Sequence, residues 1–206
     1  MSTMVIANVF GIFILFFLLW KTLRDDYSYE KIFNLGFLIV FGFVLGLISS
    51  KIFNFSYYLA KDFSFWIILF GVTSGFIFGI LKQKMNFFDS FEGFVVGNLS
   101  WVGLIFISDA VSKSSLSSFL AFWMSLICIF LFFFLNTVYK NFTWYKSGRV
   151  GFSGIFTALV FFLIRIITTF IFPDMISLAG KLEIYLSGSA ALLFIVLLYN
   201  LSRKEE

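Results

Sequence analysis

The sequence predicts an all-α integral membrane protein, a bundle of seven transmembrane helices with its N-terminus outside and its C-terminus cytoplasmic. Three observations predict it. Apolar residues make up 61% of the 206-residue chain and charged residues only 13%, more apolar surface than a soluble domain of this size can hide. The apolar residues gather in runs of about 20, enough for a hydrocarbon core of about 30 Å at about 1.5 Å rise per residue. Runs of that length fit helices better than barrel strands, which alternate in short segments. Finally, the cations divide unevenly between alternate connections.

The spans read as residues 5–20, 32–53, 63–81, 87–107, 119–139, 151–172 and 182–198. The first begins without a basic segment and no small-residue cleavage site follows it, so it reads as retained. The fourth is the most polar, with Asp89, Ser90, Glu92, Asn98 and Ser100, and must lie inside the bundle. Charge tests the count. Lys21, Arg24, Lys31, Lys82, Lys84, Lys140, Lys146, Arg149, Arg203 and Lys204 fall on one side, against Lys51, Lys61, Lys113 and Lys181 on the other. The positive-inside rule makes the first side cytoplasmic. Removing the fourth span would erase the asymmetry. Connections are short and no repeat is visible, so residues 1–206 read as one compact domain, with the serine-rich stretch 112–118 as an external loop.

Composition also excludes. The chain has no histidine, the commonest metal ligand and neutral-pH acid–base group. With one cysteine, Cys128, no disulfide can form within the chain. Nucleotide-binding glycine loops, the G-x-S-x-G elbow and zinc spacings are missing. No cofactor and no metal are expected. The net charge of +4 is scattered through loops, which argues against nucleic acid as a partner.

Arg165 is the clearest anomaly. It lies about 21 Å along its span from Gly151, in the outer half of the membrane. Two readings stand open. Its planar fork suits an anionic lipid headgroup, or it forms a structural salt bridge or snorkels outward. Asp109, at the outer end of the fourth span, is the best-placed acidic partner, with Asp174 the other candidate. Asp89 and Glu92 share a helix face. Such a pair serves acid–base or cation-coupled chemistry, or, more commonly, a helix dipole. Gly42 with Gly46, Gly71 with Gly75, and Gly75 with Gly79 carry the G-x-x-x-G spacing of closely crossing helices. Trp144 and the turn from Gly148 to Gly151 read as an interfacial anchor. The 34 phenylalanines read more simply as coding bias than as function.

The order of local landmarks resembles the prolipoprotein diacylglyceryl transferases along nearly the whole chain. Phe10-Gly11 looks like that family's Tyr-Gly, and the Gly46-Leu47-Ile48-Ser49-Ser50-Lys51-Ile52 run looks like the end of its second span. The stretch from Gly71 to Gly79 resembles its Ser-Phe-His-Gly-Gly segment. Residues 98–109 resemble its Gly-Arg-x-Gly-Asn-Phe-x-Asn-x-Glu signature, and Trp144 with Gly148-Arg149-Val150 its loop before the sixth span. Arg165 followed by Pro173-Asp174 is similar to its Arg-rich ending. The resemblance implies a membrane enzyme of bacterial-type inner membranes. Such an enzyme moves a diacylglyceryl group from phosphatidylglycerol to a lipoprotein cysteine. It implies headgroup binding by Arg165, Asp109 as the best catalytic candidate, and a cavity lined by Phe10, Thr73, Trp101, Gly103 and Leu104. Its partners would be a membrane phospholipid and a lipoprotein precursor or other membrane protein.

The departures point to lost chemistry. The family's histidine falls at Thr73, its signature arginine at Trp101, its asparagine at Leu104 and its tyrosine at Phe10. Thr169 and Phe172 stand where a glutamate and a second arginine are usual. Each lost electrostatic contact costs about 10²–10³ in rate, so the expectation is a lipid-binding relative without the full reaction. The rivals are a small transporter or vitamin-uptake subunit, and a structural subunit of a membrane complex.

Overall fold

The computed structural model describes residues 2–56, 63–142, 145, 150–172 and 182–202, and among them every regular element is helical. The helices are α1 (Ser2–Leu23), α2 (Tyr29–Ser56), α3 (Ser64–Gln83), α4 (Phe87–Lys113), α5 (Leu116–Val138), α6 (Phe152–Ile171) and α7 (Leu182–Ser202), with a short 3-10 turn at Tyr139–Asn141. All seven are long and apolar enough to cross a bilayer, as a multi-pass membrane protein requires. Asp174, Trp144, Gly148 and Arg149 lie outside the described residues.

Most helices outrun the spans read from hydropathy. Hydropathy marks the apolar stretch alone, whereas the backbone bonds continue into polar flanks such as Lys21 and Glu30. The largest difference corrects the reading of residues 112–118 as a loop. Helix α4 continues to Lys113 and α5 begins at Leu116, leaving Ser114 and Ser115 between them. Ser114 adopts a left-handed conformation (φ 50°) that ends α4, and the Ser115 side chain accepts the Ser118 N–H to start α5. Ser114 and Ser115 are caps, while Ser112, Ser117 and Ser118 lie within the helices, and serines so crowded read as a loop.

Helix α4 is the axis. Buried residues fill 61% of its membrane-length window, against 17% to 50% in the other six. That is where its polar residues had to go. Glycines let neighbours approach: a Cβ on Gly97 would stand 2.6 Å from Leu15 of α1, and one on Gly154 of α6 would stand 3.0 Å from the Glu92 backbone.

Helices α2 and α3 pack mainly on each other. A Cβ on Gly42 would sit 2.3 Å from the Gly71 carbonyl oxygen, and one on Gly75 the same distance from that of Leu38. Backbone meets backbone along the two G-x-x-x-G ridges, as the spacing predicts. On the outer face of this hairpin the missing side chains leave a groove of about 710 Å³, rimmed by exposed Phe41, Phe70 and Phe78.

Tyr27, between α1 and α2, accepts the Asn86 N–H (2.9 Å) and donates to Asp89 (3.2 Å). Gly151, ahead of α6, donates to Glu92 of α4 at 2.9 Å. The α1–α2, α3–α4 and α5–α6 connections therefore share one end of the bundle. At the other end Thr3 and Ser112 hydroxyls meet at 2.7 Å.

Candidate functional site

Three arrangements carry the buried polarity. At the first end, Glu92 caps a helix other than its own. Gly151, in a left-handed conformation (φ 107°), starts α6, and its N–H donates to the Glu92 carboxylate, as do those of Ser153 and Gly154. The helix N-terminus favours an anion there. Asp89 faces Tyr27 instead, so the two acids that share a helix face serve different partners. Burial pushes the Tyr27 phenol above its ordinary pKa; the Asn86 N–H lowers it and the nearby Asp89 carboxylate raises it.

Near the opposite end, Arg165 lies inside the bundle. Its Nε donates to Glu183 of α7 at 2.7 Å, with the side chains 5% and 0% exposed. The same carboxylate accepts Trp66 Nε1 of α3 at 2.9 Å and the Ser187 hydroxyl. Three helices thus meet on one carboxylate. The guanidinium lies 3.9 Å from the Phe65 ring centre and 5.8 Å from those of Trp66 and Phe161, a cation–π setting strengthened by exclusion of water.

Asp109 is not the acid that faces Arg165. It is held by Lys113 one turn along α4 (2.7 Å) and by the Ser118 hydroxyl of α5 (2.6 Å). Glu183 is not among the acids that the sequence reading weighs against Arg165. A signal was present: by the alternation of spans, the seventh starts on the side where the sixth ends, which puts Glu183 toward the same half of the bundle as Arg165.

The third arrangement is a cavity of about 300 Å³ between the α2–α3 hairpin and the α1–α4 pair. That volume is at the lower end of the roughly 300–1,000 Å³ of small-molecule sites. Its walls are mostly apolar, and Met4 at its rim is 47% exposed, so it reaches the bundle surface. Asn8, Ser64, Asn98 and Trp101 supply the polar atoms. Trp101 is buried, packs on Phe43 with ring centres 4.2 Å apart, and donates its indole N–H to Asn8 Oδ1 at 3.0 Å. Gly11 makes room for the indole, since a Cβ there would stand 2.1 Å from it.

The five residues expected to line one cavity are not brought together. Trp101 is in this wall. Phe10 is 59% exposed on the outside of α1, because it sits about 100° around the helix from Gly11. Thr73 is half-buried beside the lining residue Val72. Gly103 faces α5, where a Cβ would be 3.5 Å from Ser125. Leu104 is half-buried and outside the lining, which α4 supplies through Asn98, Trp101, Val102, Ile105 and Phe106. Among the described residues no group of three or more His, Cys, Asp or Glu could hold a metal ion. No family model, curated protein or solved structure matches the chain.

Proposed function

We propose that this chain is a lipid-binding protein of a bacterial-type cell membrane. In this reading it has the architecture of a diacylglyceryl transferase, with the N-terminus outside, and lacks the transfer reaction. The observation that carries the reading is the apolar cavity among α1–α4, which opens at the bundle surface and holds a few fixed polar atoms. A glycerolipid, phosphatidylglycerol among the candidates, places its apolar body there. Arg165 is then a brace: an anionic headgroup would have to compete with a carboxylate already 2.7 Å away.

Absence of transfer follows from the placement of the charges. The reaction needs a proton acceptor and a cation to stabilise the departing phosphate in one dry site. Here Asp109 and Arg165 are engaged with separate partners. A structural subunit would keep the brace and need no lipid.

The test is lipid retention. The protein would be purified from membranes of known composition and its bound glycerolipid counted by mass spectrometry. Ile105→Trp, which fills the cavity from α4, is expected to lower the bound lipid with the fold intact. Equal lipid in both proteins, or none in the wild type, would reject the reading.

A further inference from the structure

Resting on that reading, we infer that the cavity selects a neutral lipid alcohol, an apolar body with one free hydroxyl, over an anionic glycerophospholipid. None of the described residues that line the cavity carries a charge. The nearby cation is screened: Phe65 is a wall of the cavity and is also the ring that covers the Arg165 guanidinium at 3.9 Å.

The polar atoms of the wall are fixed by their partners. An indole N–H is only a donor, so Asn8 must turn its carbonyl oxygen toward Trp101, and its Nδ2 then donates to the Met4 carbonyl at 2.8 Å. Asn98 Nδ2 donates to the Phe94 carbonyl at 2.7 Å, one turn back along α4. Trp101 has spent its single donor. Each carboxamide has a second N–H beyond the one it spends, so the two amides leave a ligand one donor apiece as well as acceptors at Asn98 Oδ1 and at a second lone pair on Asn8 Oδ1, and Ser64 adds a hydroxyl to the wall.

A phosphate or carboxylate brings a full charge, and would be desolvated against a few neutral donors with no cation among the described lining residues. An ammonium would be buried without a counter-charge. A hydroxyl brings one donor, and its transfer from water is offset by one hydrogen bond to Asn98 or Asn8. Acylglycerols with a free hydroxyl fit this chemistry.

Three short-chain probes separate the outcomes: dioctanoylglycerol, its 3-O-methyl ether and dioctanoylphosphatidylglycerol. Affinity of the full chain in detergent is read from the rise in unfolding temperature with ligand concentration. The alcohol is expected to bind about five- to tenfold more tightly than the ether, the value of one hydrogen bond, and the phospholipid more weakly than the alcohol. Asn98→Leu is expected to narrow the gap between alcohol and ether, the Asn8 acceptor remaining. Equal binding of alcohol and ether, or tighter binding of the phospholipid, overturns the selectivity and leaves lipid binding standing. Failure of all three to bind defeats the lipid-binding reading itself. The wild-type comparison holds even where Asn98→Leu does not fold.

Discussion

Replacing Glu183 by leucine should be the most damaging single change in the α6–α7 pair. The carboxylate is fully buried and accepts hydrogen bonds from Arg165, Trp66 and Ser187, on three helices. Leucine nearly keeps the volume and removes the charge. The guanidinium stays behind, 5% exposed among aromatic rings, without that carboxylate. Removing one partner of a buried ion pair costs about 3–5 kcal/mol, because desolvation is already complete and its compensation is lost. Exchanging both partners for apolar residues is about neutral, or stabilising by roughly 1–4 kcal/mol. The order of stability should be Glu183→Leu far below wild type, with Arg165→Met plus Glu183→Leu back near it. Thermal unfolding in one detergent, followed by near-ultraviolet circular dichroism, gives the comparison. The reasoning fails if Glu183→Leu unfolds at the wild-type temperature, or if the double variant is no more stable than the single one.

Other outcomes follow from the same structure. Gly42→Ala should destabilise by about 1–3 kcal/mol, since the new methyl meets the Gly71 carbonyl 2.3 Å away and neither backbone can yield. Gly188→Ala, with nothing within 4 Å, should be neutral or gain roughly 0.5–1 kcal/mol of helix propensity; paired denaturation curves compare the two glycines. Glu92→Ala should cost about 1–3 kcal/mol by orphaning the first N–H groups of α6, and Glu92→Gln less, because an acceptor remains; hydrogen exchange at Gly151 and Ser153 reads this directly. Incubation with phosphatidylglycerol and a lipobox peptide should give no turnover above a no-protein control; turnover that vanishes in Arg165→Ala would restore the enzyme reading. An engineered cysteine at Ser2 should be labelled from outside intact cells, and protection there with labelling at the C-terminal end would reverse the orientation.

Much of the fold was legible because a bilayer punishes polarity by position. Seven apolar runs give seven helices, and the polar fourth run lies at the centre since lipid could not solvate Asn98 or Glu92. The glycine ridges were legible for a related reason: periodicity alone puts Gly42 and Gly46 on one face. Capping was not. Ser114 and Ser115 end one helix and start the next within two residues, and only backbone geometry tells caps from a loop.

The site was less legible because depth is easier to read than direction. Arg165 demands a buried partner, and sequence supplies acids at similar depth on more than one helix without saying which faces it. Rotation about each helix decides, and side-chain packing sets it: Phe10 points outward while Gly11 beside it carries the Trp101 indole. The two carboxylates that sequence underrated have parallel effects. Glu92 of α4 holds the start of α6, and Glu183 of α7 holds it near the far end, so α6 is tied at both ends to its neighbours. The α2–α3 hairpin packs mainly on itself and meets this fixed part through Trp66 and Phe65 beside the cavity, and through Phe43 and Phe76, which pack on Trp101 and Phe94 of α4. In the proposed lipid-binding reading the ligand enters where the cavity already opens beside Met4, so neither the hairpin nor α6 has to be displaced.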